Sequence, residues 1–187
     1  MNLTKKEIQL FSLHNRQIRK LYESAFPRIE RMPYPMLMRY SLKKEIEMWG
    51  YYDNGRFIGF AYMMVLGGYA YVLYCATKQE LRSRGYGTAI IKDLMKHYEG
   101  NNMVLDIEPD DPDADNAEQR QRRKEFYLKL GFADTFYEMT DDTGDYRIYT
   151  SDIENFRIEE FRRFFGLFPE CFDGTEIIDK HPAQQKE

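Results

Sequence analysis

Cysteine is almost missing from this chain: Cys75 and Cys171 are the only two among 187 residues. Two thiols cannot build a disulfide scaffold or a cysteine-rich zinc centre, so neither architecture is expected. Histidine is nearly as scarce. His14, His97 and His181 fall near element ends rather than in a cluster, and no metal site is expected. A long apolar run is lacking too. The longest, around Ile58 to Gly68, is too short and too interrupted to span a bilayer. Met1-Asn2-Leu3-Thr4-Lys5-Lys6 runs straight into a mixed polar segment, which predicts no secretory leader and a reducing, cytoplasmic setting. Nor is there a surplus of basic charge. Lys and Arg number 27 against 31 Asp and Glu, a net charge of -4, which argues against a surface built to grip nucleic acid. Neither nucleic acid nor a membrane is expected as a partner.

What remains is globular. A 43% hydrophobic and 31% charged composition in a chain of this length suffices for a substantial core. No internal repeat, low-complexity tract or linker interrupts it, so residues 1–187 are read as one domain, with 152–187 a C-terminal helical and apolar extension. That extension either covers a sheet edge or joins a partner subunit, which leaves a homodimer open. The 15 tyrosines are expected to line the edge of the core, some of them facing a cleft or an interface.

Hydrophobic period places the elements. Glu7 to Leu13 alternates loosely and predicts a first strand; Ile18, Leu21, Tyr22 and Ala25 predict a helix from Asn15. Pro27 to Pro35 suits no regular element and reads as a loop of the kind that lines sites. A second helix is predicted from Pro35 to Met48. The period then shortens: Trp49 to Tyr52, Asp53-Asn54-Gly55 and Arg56 to Val65 read as strand, tight turn and strand, and Gly67-Gly68 turns into a further strand from Tyr69. A helix from Gly87 or Thr88, closed by Gly100-Asn101, is followed by a short strand at Met103 to Ile107, an order that implies a right-handed crossover. Asp115 with Glu118 predicts a capping box for a helix reaching Leu130, where Gly131 ends it. Phe132 to Met139 and Asp145 to Thr150 alternate like a hairpin, and Pro169 is expected to stop a short amphipathic helix in the tail.

Between the Tyr69 strand and its following helix stands Arg82-Ser83-Arg84-Gly85-Tyr86-Gly87-Thr88. Two glycines let the backbone approach a ligand, the amides and the helix start favour an anion, and Arg82 and Arg84 add charge-assisted donors. The loop is not a P-loop, because no Gly-Lys-Ser/Thr follows. It is not a dinucleotide fingerprint either, because Ile90 stands where a third glycine would fall. By itself it remains an anion turn or a purely structural one.

Together with Phe126-Tyr127-Leu128-Lys129-Leu130-Gly131-Phe132, this segment resembles the GCN5-related N-acetyltransferase superfamily, whose Arg/Gln-x-x-Gly-x-Gly/Ala signature is met by Arg82, Gly85 and Gly87. The resemblance spans roughly Ile18 to Tyr149. It implies an α/β (α+β) fold with a mixed, mostly antiparallel twisted sheet flanked by helices, and acetyl-CoA as acetyl donor. It also implies that the backbone of Cys75, Ala76 and Thr77 pairs with the pantetheine arm, and that the Arg84 to Thr88 amides, Tyr86 and Gly87 included, hold the pyrophosphate. Tyr127 matches the family tyrosine near the coenzyme sulfur. Many members carry an asparagine seven residues before that tyrosine and an alanine four before it; here Arg120 and Arg123 stand there, free either to reach phosphates or to pair with the acidic stretch Asp106 to Asp115.

An amine must be neutral to attack a thioester, so a proton acceptor is needed, and an alkyl ammonium titrates near 10.4. Glu108 at the end of the Met103 strand and Glu30 in the Pro27 loop are the first candidates, followed by Asp110 or a water chain. The acidic stretch could draw in a cationic amine, while calcium is disfavoured because the EF-hand glycine and glutamate are missing. A nucleophilic role for Cys75 is not expected without a histidine beside it. The reading is direct acetyl transfer to a primary amine, most simply of a small molecule. The alternatives are a degenerate acyl-CoA sensor and a protein N-terminal or lysine acetyltransferase.

Overall fold

The computed structural model describes residues 1–9, 12 and 14–182, and these form two compact units, Met1–Leu66 with Ala70–Glu99, and Gly67–Tyr69 with Gly100–Glu187. The fold is the expected mixed, mostly antiparallel twisted sheet flanked by helices.

In the first unit the strand order is β1 (Leu3–Glu7), β2 (Ile46–Asp53), β3 (Arg56–Leu66) and β4 (Tyr69–Thr77), with α1 (Asn15–Ala25), α2 (Tyr34–Tyr40) and α3 (Tyr86–His97). The β2–β3 hairpin closes through Asn54 and Gly55, both at positive φ (48° and 78°), the backbone of the turn that matches strand twist. Ile18, Leu37, Ile58, Phe60, Tyr62, Ile90 and Leu94 are fully buried and form its core. Tyrosines do line it. Tyr22 and Tyr51 are buried, and the Tyr22 hydroxyl donates to Met32 O at 3.0 Å rather than being left unsatisfied.

Two expectations fail here. The first strand is Leu3–Glu7, set by its antiparallel register with β2 from Leu3↔Asp53 to Glu7↔Trp49; Leu10, Phe11 and Leu13 of the expected span lie outside the described residues. The second helix stops at Tyr40, and Ile46 already begins β2. Ile46 and Met48 are buried while Glu47 and Trp49 are half-buried, so residues that fit helical spacing are read by the sheet at period two.

In the second unit the order is β5 (Asn102–Ile107), β7 (Gly144–Thr150), β6 (Ala133–Asp141) and β8 (Glu176–Asp179), with α4 (Ala117–Lys129), α5 (Ile158–Arg162) and α6 (Pro169–Phe172). In the tail, β8 pairs antiparallel with β6, Tyr137↔Asp179 to Thr140↔Glu176, and covers that strand's edge. Pro169 opens a four-residue helix instead of only ending one, as its fixed φ permits at a first helical position. The capping box also fails. The N-cap of α4 is Asn116, with no side-chain cap bond, because the Asn116 amide donates to Glu108 and its Oδ1 accepts from Arg120.

Candidate active site

β4 delivers Cys75, Ala76 and Thr77 to its end, where they are half-buried. The approach of β3 to this strand end depends on Gly59. A Cβ there would lie 2.5 Å from the Ala76 carbonyl oxygen and 3.1 Å from Ile90 Cδ1, so only glycine lets the two backbones and α3 come together. Gly59 escaped the motif reading, although a glycine inside a strand pattern was the signal for it. Burial pushes the Cys75 thiol up to about 12, so it stays protonated at neutral pH and is no nucleophile.

The polypeptide then passes through Gln79–Leu81 into Arg82–Gly85. Ser83 (φ 59°) and Gly85 (φ 80°) both adopt the left-handed conformation, and Gly85 is the N-cap of α3. Nothing lies within 4 Å of a Cβ placed on Gly85, so its requirement is conformational. α3 starts at Tyr86, earlier than expected, and no side chain caps it. Its first-turn amides, Tyr86, Gly87 and Thr88, have no intrahelical acceptor, and the helix dipole adds positive potential beside the exposed Arg82 and Arg84. Such a turn fits the diphosphate of a coenzyme. The Tyr86 side chain, not anticipated to matter, donates to Asp53 Oδ2 at 2.7 Å.

Glu30 is half-buried in the loop after α1. The Tyr74 hydroxyl donates to its carbonyl oxygen at 3.1 Å, and the Tyr74 ring meets Tyr22 and Phe26 edge-on at 4.9 and 5.0 Å. This aromatic cluster holds the loop against β4.

In the second unit, Tyr127 is half-buried near the C-terminal end of α4. The reason Gly131-Phe132 follows it is visible in the backbone. Phe132 N donates to Tyr127 O at 3.1 Å and Gly131 N to Leu128 O at 3.0 Å, with Gly131 at φ 93°, which together make a Schellman stop. The Tyr127 and Phe132 rings pack edge-on at 5.7 Å, so the signature is a helix terminator that also fixes the tyrosine.

Glu108 sits just beyond β5, and both of its oxygens are engaged. Oε1 accepts from Asn116 Nδ2 at 3.0 Å and meets Arg120 at 3.2 Å, while Oε2 accepts from Arg123 at 2.6 Å. Burial pushes its carboxyl up, but the Asn116 hydrogen bond and the Arg123 and Arg120 charges outweigh that and hold it below the ordinary range. Lys124 pairs with Asp110 at 2.5 Å. The basic run of α4 therefore pairs with the acidic stretch, the second of its two expected uses. Among the described residues no group of three or more His, Cys, Asp or Glu could hold a metal, and no helix is long and apolar enough to cross a membrane.

A left-handed glycine loop opening a helix after a strand, followed by a terminated aromatic helix, defines an acyltransferase of the coenzyme-A type. The chain belongs to the acetyltransferase (GNAT) family, whose model matches residues 15–132. Solved structures agree in fold. A GNAT-family protein from Bacteroides thetaiotaomicron is 22% identical with a TM-score of 0.74, covering 90% of this chain and 98% of its own. The ribosomal-protein-S18-alanine N-acetyltransferase of Escherichia coli is 19% identical with a TM-score of 0.61, covering 83% and 99%. An aminoglycoside 6'-N-acetyltransferase complexed with coenzyme A is 15% identical with a TM-score of 0.64, covering 80% and 97%. No curated protein matches in sequence. The protein is an acetyl-CoA-dependent acetyltransferase.

Proposed function

We propose that this acetyltransferase acts in the cytoplasm as one domain and acetylates the primary amine of a small cationic acceptor, with the Arg82 to Thr88 loop and the end of β4 holding the donor. The observation that carries the acceptor class is charge. Glu108 and Asp110 are neutralised by Arg120, Arg123 and Lys124, whereas Asp111, Asp113 and Asp115 are exposed and carry no ion pair among the described residues. Three uncompensated carboxylates on one loop raise the local concentration of a cation.

In this reading the amides at the start of α3 bind the diphosphate, and β4 backbone groups face the thioester carbonyl, whose developing negative charge they stabilise. The neutral amine nitrogen bonds to the carbonyl carbon as the carbon–sulfur bond breaks, and the Tyr127 hydroxyl supplies a proton to the leaving sulfur. The proton shed by the new amide nitrogen restores the tyrosine. Glu108, with both oxygens already bonded and a depressed pKa, is a poor acceptor for an ammonium proton. Its role is to fix the chain between β5 and α4, and we assign Glu30 as base because the Tyr74 hydroxyl holds its loop against β4.

The test is thiol release from acetyl-CoA across a panel of amines. Polyamines and aminoglycosides should turn over faster than neutral amines and peptides, and faster at low than at high ionic strength. Preference for peptide N-termini, insensitive to salt, would refute the acceptor class.

A further inference from the structure

Side-chain hydrogen bonds tie β2 to α3 and its C-cap Tyr98: Tyr98 Oη donates to Glu47 at 2.8 Å and accepts from the Trp49 indole at 2.9 Å, while Tyr51 Oη donates to Asp93 at 3.0 Å and Tyr86 Oη to Asp53 at 2.7 Å. They are spread from one end of the helix to the other. The bonds of Tyr98 and Tyr51 anchor its C-terminal end and body, and the Glu47 carboxylate also accepts from the Trp49 indole at 3.2 Å. The bond of Tyr86 is different because Tyr86 is the first residue of α3, directly after left-handed Gly85.

Asp53 is well placed to hold that residue still. Its Oδ1 accepts from the Asn2 backbone amide at 2.7 Å and from the Asn54 side chain at 3.3 Å, which leaves Oδ2 for Tyr86. The hairpin turn that follows is itself fixed by its backbone, and Asp53 pairs with Leu3 on one side and Arg56 on the other. The Asp53 hydrogen bond raises the Tyr86 pKa, against the opposing charges of Arg84 and Arg56, so the hydroxyl remains a donor at neutral pH with basic groups around it. The donors to Asp53 are all neutral, so it keeps its charge, and its part is that of a strut holding Tyr86.

We propose that Asp53 and Tyr86 are positioning residues for the acetyl donor: their hydrogen bond ties the diphosphate loop to the β2–β3 turn and aims the first-turn amides of α3. The inference rests on the reading of Arg82 to Thr88 as the coenzyme loop. That loop contains two left-handed residues, and no side chain caps the helix it opens. The tether holds the first residue of that helix before ligand arrives, which lowers the ordering cost of binding.

The experiment is calorimetric binding of coenzyme A to the full chain. Tyr86→Phe and Asp53→Ala should each raise Kd about tenfold, as expected for one hydrogen bond to a charged group, and the double variant no further. Asp53→Asn, whose amide can donate to Tyr86 Oη, should restore Kd to within about threefold of the parent. Tyr51→Phe removes the neighbouring tie and should lower Tm while leaving Kd within about twofold. Equal loss of affinity in Tyr51→Phe and Tyr86→Phe would overturn the proposal, since helix destabilisation would then explain both. So would an unchanged Kd in Tyr86→Phe while Arg84→Ala weakens binding, a result that keeps the loop reading intact. An unchanged Kd in both Arg84→Ala and Gly85→Ala would remove the loop reading itself, and the inference with it.

Discussion

Tyr127 and Glu108 were both candidates for proton transfer, and their surroundings separate them. Tyr127 is half-buried, and its ring packs edge-on against Phe126 at 5.0 Å and Phe132 at 5.7 Å. Removing only the oxygen leaves that packing in place. Tyr127→Phe should lower kcat about 10- to 100-fold, in the range of one proton-transfer group, with coenzyme Kd unchanged; equal kcat in stopped thiol-release assays would remove the proposed role. Glu108 predicts a pH effect on stability instead. Its carboxyl is held below the unfolded value of about 4.3, so it contributes stability above that pH and loses it as pH falls through the folded pKa. Urea melts of Glu108→Gln and the parent should therefore differ by a constant amount from neutrality down to about pH 5 and draw together as the pH falls further, through the folded pKa. A gap that persists unchanged in acid would show that the carboxylate's charge is not what stabilises the site.

At the scale of elements, α4 is unusual: none of its residues is fully buried, and ion pairs join it to the chain after β5. A helix with so little apolar anchorage depends on how it ends. Gly131 at φ 93° makes that end, and the space around its Cβ position is open, so an alanine there meets conformational strain and no clash. Gly131→Ala should cost about 1 to 2 kcal/mol in denaturant unfolding, the penalty of a left-handed alanine. A loss below about 0.3 kcal/mol would mean that the helix end relaxes without the Schellman bonds. The edge strand β8 shows the same economy of means. Glu138 on β6 is buried and meets Arg147 of β7 at 3.3 Å and Lys180, just beyond β8, at 3.4 Å, so charge as well as backbone pairing joins the tail to the sheet.

For the molecule as a whole, a net charge of -4 has to coexist with a polyanionic donor. In the proposed reading the loop and helix start meet the donor's charge, since the helix dipole and the Arg82 and Arg84 guanidiniums act together there. Binding to the native state alone must then raise Tm. Coenzyme A at about 100 times its Kd should add about 2.7 kcal/mol and raise Tm by about 5 to 10 °C in a thermal melt. A flat melting temperature across that range would count against donor binding at the loop.

Much of this was legible in one dimension, for a reason that applies to each motif. Arg82, Gly85 and Gly87, the Asn54-Gly55 turn and Gly131-Phe132 are local: each encodes a backbone conformation within a few residues, so the chemistry is written where it is used. The ends of α2 and β1 were not legible, because Ile46 to Trp49 satisfies both helical and strand spacing until neighbouring strands choose. The same holds for partners distant in sequence. That Asn116 serves Glu108 instead of capping α4, that Gly59 admits the Ala76 carbonyl, and that Asp53 receives Tyr86 from 33 residues away all depend on side chains brought together by the sheet. The sequence by itself determined the left-handed glycine loop that opens α3 and the helix stop behind Tyr127, since local backbone preference suffices for both. Tertiary structure alone decided which carboxylates were already engaged and what holds the loop in place, because hydrogen bonds and charge pairing act through space.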